Sequence, residues 1–383
     1  MRPSRRMKPI TSFIVMDILE DAKAMERAGE DIVHLEVGEP DFAPPQAVTD
    51  ALCRAVRDGH THYTHSLGAL ELREAIAGWY MRTYGVSVDA DCVIVTPGTS
   101  GAFLNAMAVL LSPGDEIAFT DPGYPCYQNF ARLLGIEPAI ITVDAMDGFV
   151  PQRERVREVI EMGARAVLIA SPANPTGTVL PPETVEWLTT LPVPFISDEI
   201  YHGLVYGDVP EQTALKYSKN VIIINGLSKR MAMTGLRIGW AIVPRELVRS
   251  FQKINQNLFI CADSVSQQGA IAALTDPSCD EAAENMRLVY AKRRRVLLDG
   301  LEKLGFIIHH EPMGAFYVFA DCSRYTKDGF EFAGRMLKEA KVAATPGIDF
   351  GRYRTRQYVR FAYTIDQARI EEGLHRLGKW LGV

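Results

Sequence analysis

The segment Val221-Ile222-Ile223-Ile224-Asn225-Gly226-Leu227-Ser228-Lys229 joins a short run of β-branched residues to a turn that carries a lysine. Continuous apolar runs of this length are typical of strands that are covered on both faces of a sheet. A lysine among small and apolar residues is unusual, because desolvating an unpaired ammonium is costly. Desolvation also lowers the pKa of the amine, which can then attack an aldehyde as a nucleophile. For an isolated lysine, the simpler interpretation is a side chain that snorkels to solvent.

Similar apolar runs occur before this segment and alternate with helical patterns. We predict helices at about 101–111 and 127–134, and strands at 92–96, 115–120, 139–143, 166–170, 194–197 and 221–225. This alternation predicts an α/β fold with a mostly parallel, doubly wound sheet and right-handed crossovers. Ligands of such sheets bind at the carboxyl ends of the strands, so we expect the chemistry just after each strand.

The C-terminal part of the chain has a pattern that predicts a smaller α+β domain. Residues 264–303 have a long helical pattern, a further helix is predicted at 330–339, and strands are predicted at 306–309, 314–319 and 357–362. We interpret the charge run Lys292-Arg293-Arg294-Arg295 as a solvated helix face. The predicted organisation is a large domain over 45–275 and a small domain formed by 1–44 and 276–383.

The composition is that of an ordinary globular protein. The 383 residues are 47% hydrophobic and 23% charged, which is enough to bury a large core. The formal net charge of -6 argues against a nucleic-acid partner. No run approaches the roughly 20 apolar residues that cross a bilayer. The six cysteines are scattered, with neither a CxxC nor a zinc-like spacing. We therefore expect a cytoplasmic protein without a membrane partner.

Two other predicted strands end in polar residues that are suited to chemistry. Ile196-Ser197-Asp198-Glu199-Ile200-Tyr201 ends a strand with an aspartate, which taken alone would be interpreted as a helix N-cap. Thr96-Pro97-Gly98-Thr99-Ser100-Gly101-Ala102 lies between a strand and a helix, where backbone amides and two hydroxyls can cradle a phosphate. It is not a Walker loop, because no Gly-Lys-Ser/Thr ends it.

With these motifs, the segment from Gly226 to Gly239 resembles the lysine-attachment signature of class I/II aminotransferases, which are pyridoxal-phosphate enzymes of fold type I similar to aspartate aminotransferase. The resemblance extends from about Thr11 to Ala362. It implies that Lys229 carries pyridoxal 5'-phosphate as a Schiff base. It also implies transfer of the amino group of an L-amino acid to a 2-oxo acid, either 2-oxoglutarate or pyruvate.

The resemblance implies a role for each matching residue around the cofactor. The proposed catalytic residues are Lys229, Asp198 and Tyr201. Asp198 would pair with the protonated pyridine nitrogen and keep the ring a strong electron sink. Tyr201 and Asn174, the latter in Ser171-Pro172-Ala173-Asn174-Pro175-Thr176-Gly177, would donate to the phenolic oxygen. The other cofactor-binding residues would be Thr99, Ser100, Ser228 and Arg237 at the phosphate, and Tyr124, which would stack on the ring.

The substrate and the assembly are implied in the same way. Arg360, in Gln357-Tyr358-Val359-Arg360-Phe361-Ala362, would clamp the α-carboxylate with bidentate geometry. Gly38, in the segment 37–42, and Asn174 would also face that carboxylate. Tyr63, in the segment 60–68, matches a tyrosine that reaches the phosphate of the neighbouring subunit. If each site needs two chains, a two-fold homodimer follows.

One position departs from the family pattern. Many relatives have a phosphate-binding serine three residues before the lysine, where this chain has Gly226. Ser228 would partly replace that hydroxyl, or the phosphate would depend on Arg237 and the loop at 96–102. The sequence therefore identifies the residues that would bind the phosphate less clearly than it identifies Lys229 as the lysine that would carry the cofactor.

Several alternatives remain open at this point. The same family includes carbon–sulfur β-lyases, which share most of these residues. A regulator with this fold would carry an added DNA-binding domain, for which the segment before Gly38 is too short, and no GxGxxG indicates a dehydrogenase. A metal site at His60, His62 and His65 has no partner ligand nearby, so no metal is expected. No second carboxylate-binding arginine stands out, and the segment 10–13 either borders the side-chain pocket or only packs.

Overall fold

Residues 2–383, which the computed structural model describes, form three sheets and the helices that cover them. The strands are β1 (Val33–His34), β2 (Val93–Pro97), β3 (Glu116–Asp121), β4 (Glu137–Thr142), β5 (Ala164–Ala170), β6 (Phe195–Asp198), β7 (Ile222–Gly226), β8 (Ile238–Ile242), β9 (Tyr317–Asp321), β10 (Val342–Ala343), β11 (Thr345–Pro346) and β12 (Tyr358–Ala362). The helices are α1 (Ile14–Arg27), α2 (Gln46–Arg57), α3 (Leu70–Tyr84), α4 (Gly98–Leu110), α5 (Cys126–Leu134), α6 (Arg153–Glu161), α7 (Pro182–Leu188), α8 (Val248–Leu258), α9 (Ser264–Thr275), α10 (Pro277–Lys303), α11 (Gly329–Arg335) and α12 (Gln367–Leu381).

The central sheet has seven strands in the order β2-β8-β7-β6-β5-β3-β4. The pairings from β7 through β6, β5 and β3 to β4 are all parallel. Only β8 runs antiparallel to its neighbours, β2 and β7. Apolar clusters cover both faces of the sheet, as the continuous apolar runs require. The predicted α/β fold with a mostly parallel sheet is confirmed.

Strand β8 is the element of this sheet that the sequence did not predict. It returns directly from the loop that carries Lys229, so Gly226 and Gly239 lie opposite each other. A Cβ atom at Gly226 would lie 3.0 Å from the Ile238 carbonyl oxygen and 3.1 Å from the Gly239 Cα. The glycine that departs from the family pattern therefore occupies a place with little room for a side chain.

The other strand and helix predictions differ mainly at their ends. Each of the six strands predicted between 92 and 225 is present, with ends within two residues of the prediction. The strand predicted at 306–309 is wrong, because Ile307 is exposed and forms only an isolated bridge with Asp321. The long helical pattern at 264–303 divides at Asp276, which caps α10 ahead of Pro277. The helix predicted at 330–339 is α11 followed by a π-helical turn, Met336–Ala340.

Two smaller sheets combine the N- and C-terminal segments of the chain. Strand β1 pairs in parallel with β10, and β11, β12 and β9 form an antiparallel sheet. The small α+β unit thus draws on both ends of the chain, whereas the strands of the large sheet all lie between 93 and 242. The exact boundaries at 45 and 275 remain a prediction. None of the helices formed by residues 2–383 combines the length and the apolar character needed to cross a membrane.

The charge run on α10 is a correction to the sequence analysis. Arg293 and Arg294 are each only 6% exposed, so the interpretation as a solvated face is wrong for both. Arg293 donates to both carboxylate oxygens of Asp41, at 2.7 and 2.9 Å, and lies over the ring of Phe42. Arg295 is exposed, as expected. Helix α10 therefore uses a buried guanidinium to hold the segment that contains Gly38.

We expect Arg293→Met to lower the free energy of unfolding by about 3 kcal/mol, because it leaves the partly buried carboxylate of Asp41 without its partner. The matched control is Arg295→Met on the same helix, which should cost less than about 0.5 kcal/mol. Urea denaturation of both apoproteins measures the difference. Equal effects of the two substitutions would contradict a structural role for Arg293.

Candidate functional site

A cavity of about 250 Å³ lies beyond the carboxyl ends of the parallel strands, between the central sheet and the N-terminal segment. This is the position that the doubly wound topology predicts for a ligand. Eight of the residues predicted from the sequence line it: Gly38, Thr99, Tyr124, Asn174, Asp198, Tyr201, Lys229 and Arg360. The fold therefore brings together residues that are more than 300 positions apart in the chain.

Lys229 lies in the loop between β7 and β8, and its amine faces the cavity. The Nζ atom donates to the carbonyl oxygen of Gly38 at 2.8 Å. Within the described part of the chain no carboxylate forms an ion pair with it. Burial lowers the pKa of Lys229 to about 8; the negative charge of Glu39 opposes this effect, and the positive charges of Arg360 and Arg237 act in the same direction as burial. The amine is thus available in its neutral form at only mildly alkaline pH.

Asp198 ends β6, the strand next to the one that leads to Lys229. Its carboxylate is buried and accepts hydrogen bonds from the hydroxyl of Tyr127 and, at 3.0 Å, from the backbone N–H of Ile200. No helix begins here, so the N-cap interpretation does not apply. Burial raises the pKa of Asp198 to about 6. Among residues 2–383 no cation pairs with this carboxylate, so it can take a positively charged group of a ligand.

Arg360 reaches the cavity from β12 and is only 2% exposed. Its Nη1 donates to Asn174 Oδ1 at 2.8 Å and its Nη2 to the carbonyl oxygen of Glu36 at 2.5 Å. The guanidinium lies 4.1 Å from the ring centroid of Tyr317. Within the described chain no acidic side chain neutralises the charge of Arg360, and its Nε atom has no hydrogen-bond partner. The position is suited to an anion such as a carboxylate.

The N-terminus of α4 forms a second anion site. This helix begins directly after β2, and Pro97 at its N-cap provides no side-chain acceptor, so the first backbone N–H groups are open. The backbones approach closely, since a Cβ atom at Gly239 would lie 2.7 Å from the Thr99 nitrogen. The guanidinium of Arg237 lies against Gly98, where a Cβ atom would be 2.5 Å from its Nη2. The positive charge of Arg237 and the open backbone amides of α4 together are suited to binding a phosphate group.

Four predicted residues lie outside the cavity wall. Ser100 is in the first turn of α4, Ser228 is buried beside Lys229, and Arg237 lies over the N-terminus of α4. Tyr63 is 78% exposed and does not contact this cavity within its own chain. The described residues contain no group of three or more His, Cys, Asp or Glu side chains that could hold a metal ion.

Several cavity residues were not identified from the sequence. Tyr127 lies in the first turn of α5, three residues after Tyr124, and its hydroxyl reaches Asp198 only because of how α5 packs. Tyr317 shares a hydrogen bond of 2.8 Å with Tyr201. Val15 and Met16 of α1 line the cavity, and the Thr234 hydroxyl donates to Glu39 at its edge. The segment before Gly38 is predicted to be a helix that could cap the site, and α1 lies there, but the sequence does not show which of its side chains line the cavity.

The site can be compared with those of known proteins. The family model for class I and II aminotransferases matches residues 30–377. The chain is 40% identical to valine–pyruvate aminotransferase of Mycobacterium tuberculosis, over 97% of both chains. It is 36% identical to aspartate/prephenate aminotransferase of Thermus thermophilus, over 100% of this chain and 98% of that one. A crystal structure of an aminotransferase from Mycobacterium tuberculosis superposes with a TM-score of 0.95 at 39% identity, over 100% of this chain and 99% of the other. The chain belongs to the class I and II aminotransferases.

Proposed function

We propose that this aminotransferase holds pyridoxal 5'-phosphate on Lys229 and moves amino groups from neutral, apolar L-amino acids to pyruvate. One observation carries the proposal. The cavity and its rim present an amine, a carboxylate and two guanidinium groups, none of which is paired with an opposite charge among residues 2–383. A ligand with an aldehyde, a protonated ring nitrogen, a phosphate and a carboxylate would complement all four groups.

The residues present fit this cofactor. The carboxylate of Asp198 would pair with the ring nitrogen, and the ring of Tyr124 would lie against the ring face. The open amides of Thr99 and Ser100, together with Arg237, would bind the phosphate, with Ser228 as a nearby hydroxyl. Tyr201 and Asn174 would donate to the phenolic oxygen. When bound, the cofactor supplies an electron sink for the negative charge that develops at the substrate α-carbon.

The amine of Lys229 is suited to move a proton. Because burial lowers its pKa to about 8, the neutral amine can accept a proton from the substrate α-carbon and return it at a neighbouring atom. The Gly38 carbonyl oxygen, 2.8 Å away, gives the amine a resting partner. Arg360, held by Asn174 and Glu36, would fix the substrate carboxylate, and Gly38 would lie beside it.

The wall of the cavity favours neutral substrates. Lys229 and Arg360 are the cations that this chain places on the described wall, and both are assigned above. A second carboxylate, as in aspartate or 2-oxoglutarate, would meet Glu39 and the apolar side chains of Phe13, Val15 and Met16. Burying an unpaired carboxylate there is costly. The relative from Mycobacterium tuberculosis is named for valine and pyruvate, which is consistent with this choice.

The β-lyase alternative has no support from the relatives. Those described above are all named as aminotransferases, and the cavity contains no feature that favours elimination over transfer.

We also propose that the protein acts as a homodimer in the cytoplasm. Tyr63 is largely exposed, and the apolar residues Leu258 and Ile260 are exposed as well. The neighbouring residues Thr64 and Cys261 are joined by a hydrogen bond from the Thr64 backbone N–H to the Cys261 sulfur. A second copy covering this surface would bring Tyr63 to the neighbouring site. The six cysteines are all free thiols, which supports a reducing compartment.

We expect reductive methylation of Lys229 in the apoprotein to increase with pH and to reach half its plateau near pH 8, because only the neutral amine reacts and burial lowers the pKa of Lys229 to about 8. Mass spectrometry of digests gives the rate for each lysine. Exposed lysines are the internal control, since an unperturbed amine titrates near pH ~10.4. A pH profile for Lys229 identical to theirs would contradict the buried amine.

The substrate proposal is tested with donors and acceptors in a matched panel. We expect kcat/KM for valine with pyruvate to exceed that for aspartate with 2-oxoglutarate by at least about tenfold, which corresponds to about 1.4 kcal/mol for the unpaired second carboxylate. Lys229→Ala should abolish transfer. Arg360→Lys should lower kcat/KM for all donors alike by about 100-fold, since they share the α-carboxylate. Preference for the dicarboxylic pair would overturn the proposed specificity.

Subunit complementation tests the dimer. Lys229→Ala and Tyr63→Ala chains each lack one residue of the proposed composite site. After the two are mixed and allowed to exchange subunits, half the dimers should contain one intact site, which restores about a quarter of wild-type activity. Activity equal to the mean of the separate variants would show that Tyr63 does not act across the interface.

A further inference from the structure

The first turn of α1 forms the apolar roof of the cavity, which we define as Phe13, Val15 and Met16. The edge of the Phe13 ring meets Tyr124, with the ring centroids 5.9 Å apart. The roof side chains carry no charge or hydroxyl group. A donor held by its carboxylate at Arg360 would therefore gain from contact with the roof only through apolar atoms of its own side chain.

Helix α1 lacks a cap from its own sequence. The N-cap residue is Phe13, whose side chain cannot accept a hydrogen bond. Instead, the acceptor is the carboxylate of Asp349, which lies 335 residues after Ile14 in the sequence. Its Oδ1 accepts from the backbone N–H of Ile14 at 3.0 Å, and its Oδ2 accepts from that of Val15 at 3.2 Å. A carboxylate at this position also interacts favourably with the positive end of the helix dipole.

The residue after Asp349 contacts the other side of the site. The ring centroid of Phe350 lies 4.7 Å from the guanidinium of Arg360. Asp349 itself is 8% exposed. Burial raises the pKa of Asp349 to about 6, with Arg360 opposing and Asp17 adding to the rise, so the carboxylate is ionised in an assay at pH 7.5. One short turn thus contacts both the roof and the arginine expected to bind the carboxylate.

We propose that Asp349 is a positioning residue that fixes the distance between the roof and Arg360 and so sets the affinity for donors with larger apolar side chains. The inference rests on the proposed function, since it requires amino donors bound through Arg360. Contact with the roof increases with the number of side-chain carbon atoms. Alanine should therefore depend little on Asp349, whereas valine and leucine should depend on it strongly.

The test compares donors in Asp349 variants. Asp349→Ala should raise KM for valine and leucine by about tenfold, while KM for alanine and kcat for all three donors change by less than about threefold. Asp349→Asn keeps one of the two acceptor oxygens but loses the second acceptor and the charge. It should therefore raise KM for valine by only about threefold, and it carries the test if Asp349→Ala proves insoluble.

Asp328 provides a matched control. Its carboxylate also accepts two backbone N–H groups at a helix start, those of Phe330 at 3.0 Å and Glu331 at 3.3 Å, and it does not line the cavity. Asp328→Ala removes a comparable cap from α11. We expect it to leave the ratio of the valine and alanine KM values unchanged, so a shift in that ratio with Asp349→Ala cannot be a general effect of losing a cap.

Amide hydrogen exchange separates failure of this inference from failure of the proposed function. In Asp349→Ala the amides of Ile14 and Val15 should exchange about fivefold faster, a result that needs no activity. If the wild-type protein moves no amino groups, the proposed function fails while the exchange still tests the cap. Equal rises in KM for alanine and valine, unchanged KM values, or unchanged exchange would each overturn the positioning role.

Discussion

The site depends on one constraint, which is that the amine of Lys229 is removed from water without being given an opposite charge. Its hydrogen-bond partner is a carbonyl oxygen, that of Gly38. Arg360 and Arg237 disfavour the ammonium, and Glu39, which forms no ion pair with the amine, only partly offsets burial. A carboxylate in direct contact would hold the proton on the amine and make the lysine a poor nucleophile. The separation of Lys229 from Asp198 is therefore as important as their proximity in one cavity.

The sheet provides that separation. Asp198 pairs in register with Ile224 and stands at the end of β6, whereas Lys229 is the third residue beyond the end of β7. In the same way Ala170 pairs with Asp198, and Asn174 follows four residues later. The parallel strands β5, β6 and β7 thus place Asn174, Asp198 and Lys229 at one edge of the sheet, each at a different distance from the end of its strand. The buried aromatic side chains of Tyr127, Tyr201 and Tyr317 line the cavity beside them.

The parts of the structure that sequence could predict are those set by local pattern. The run from Val221 to Asn225 is typical of a covered strand, and the motif that follows it identifies the lysine. Strand β8 is also a short apolar run, which could have been predicted from its pattern, but its antiparallel direction and the close approach of Gly226 and Gly239 have no local signal. Arg293 was misjudged for a related reason, since a buried guanidinium and a solvated one look alike until Asp41 is seen to meet it. The contact of Asp349 with α1 spans most of the chain and has no local signal.

The unpaired charges of the cavity destabilise the fold, and interactions elsewhere in the protein must offset them. Asp198 and Arg360 are buried without opposite charges among residues 2–383, which is unfavourable in the free protein. The favourable terms must therefore come from elsewhere, chiefly from the apolar clusters on the two faces of the central sheet and from paired charges remote from the cavity, such as Arg293 with Asp41. A ligand that supplies the missing charges relieves this unfavourable electrostatics directly. Binding of such a ligand is therefore favoured by the same unpaired charges that are unfavourable for the protein alone.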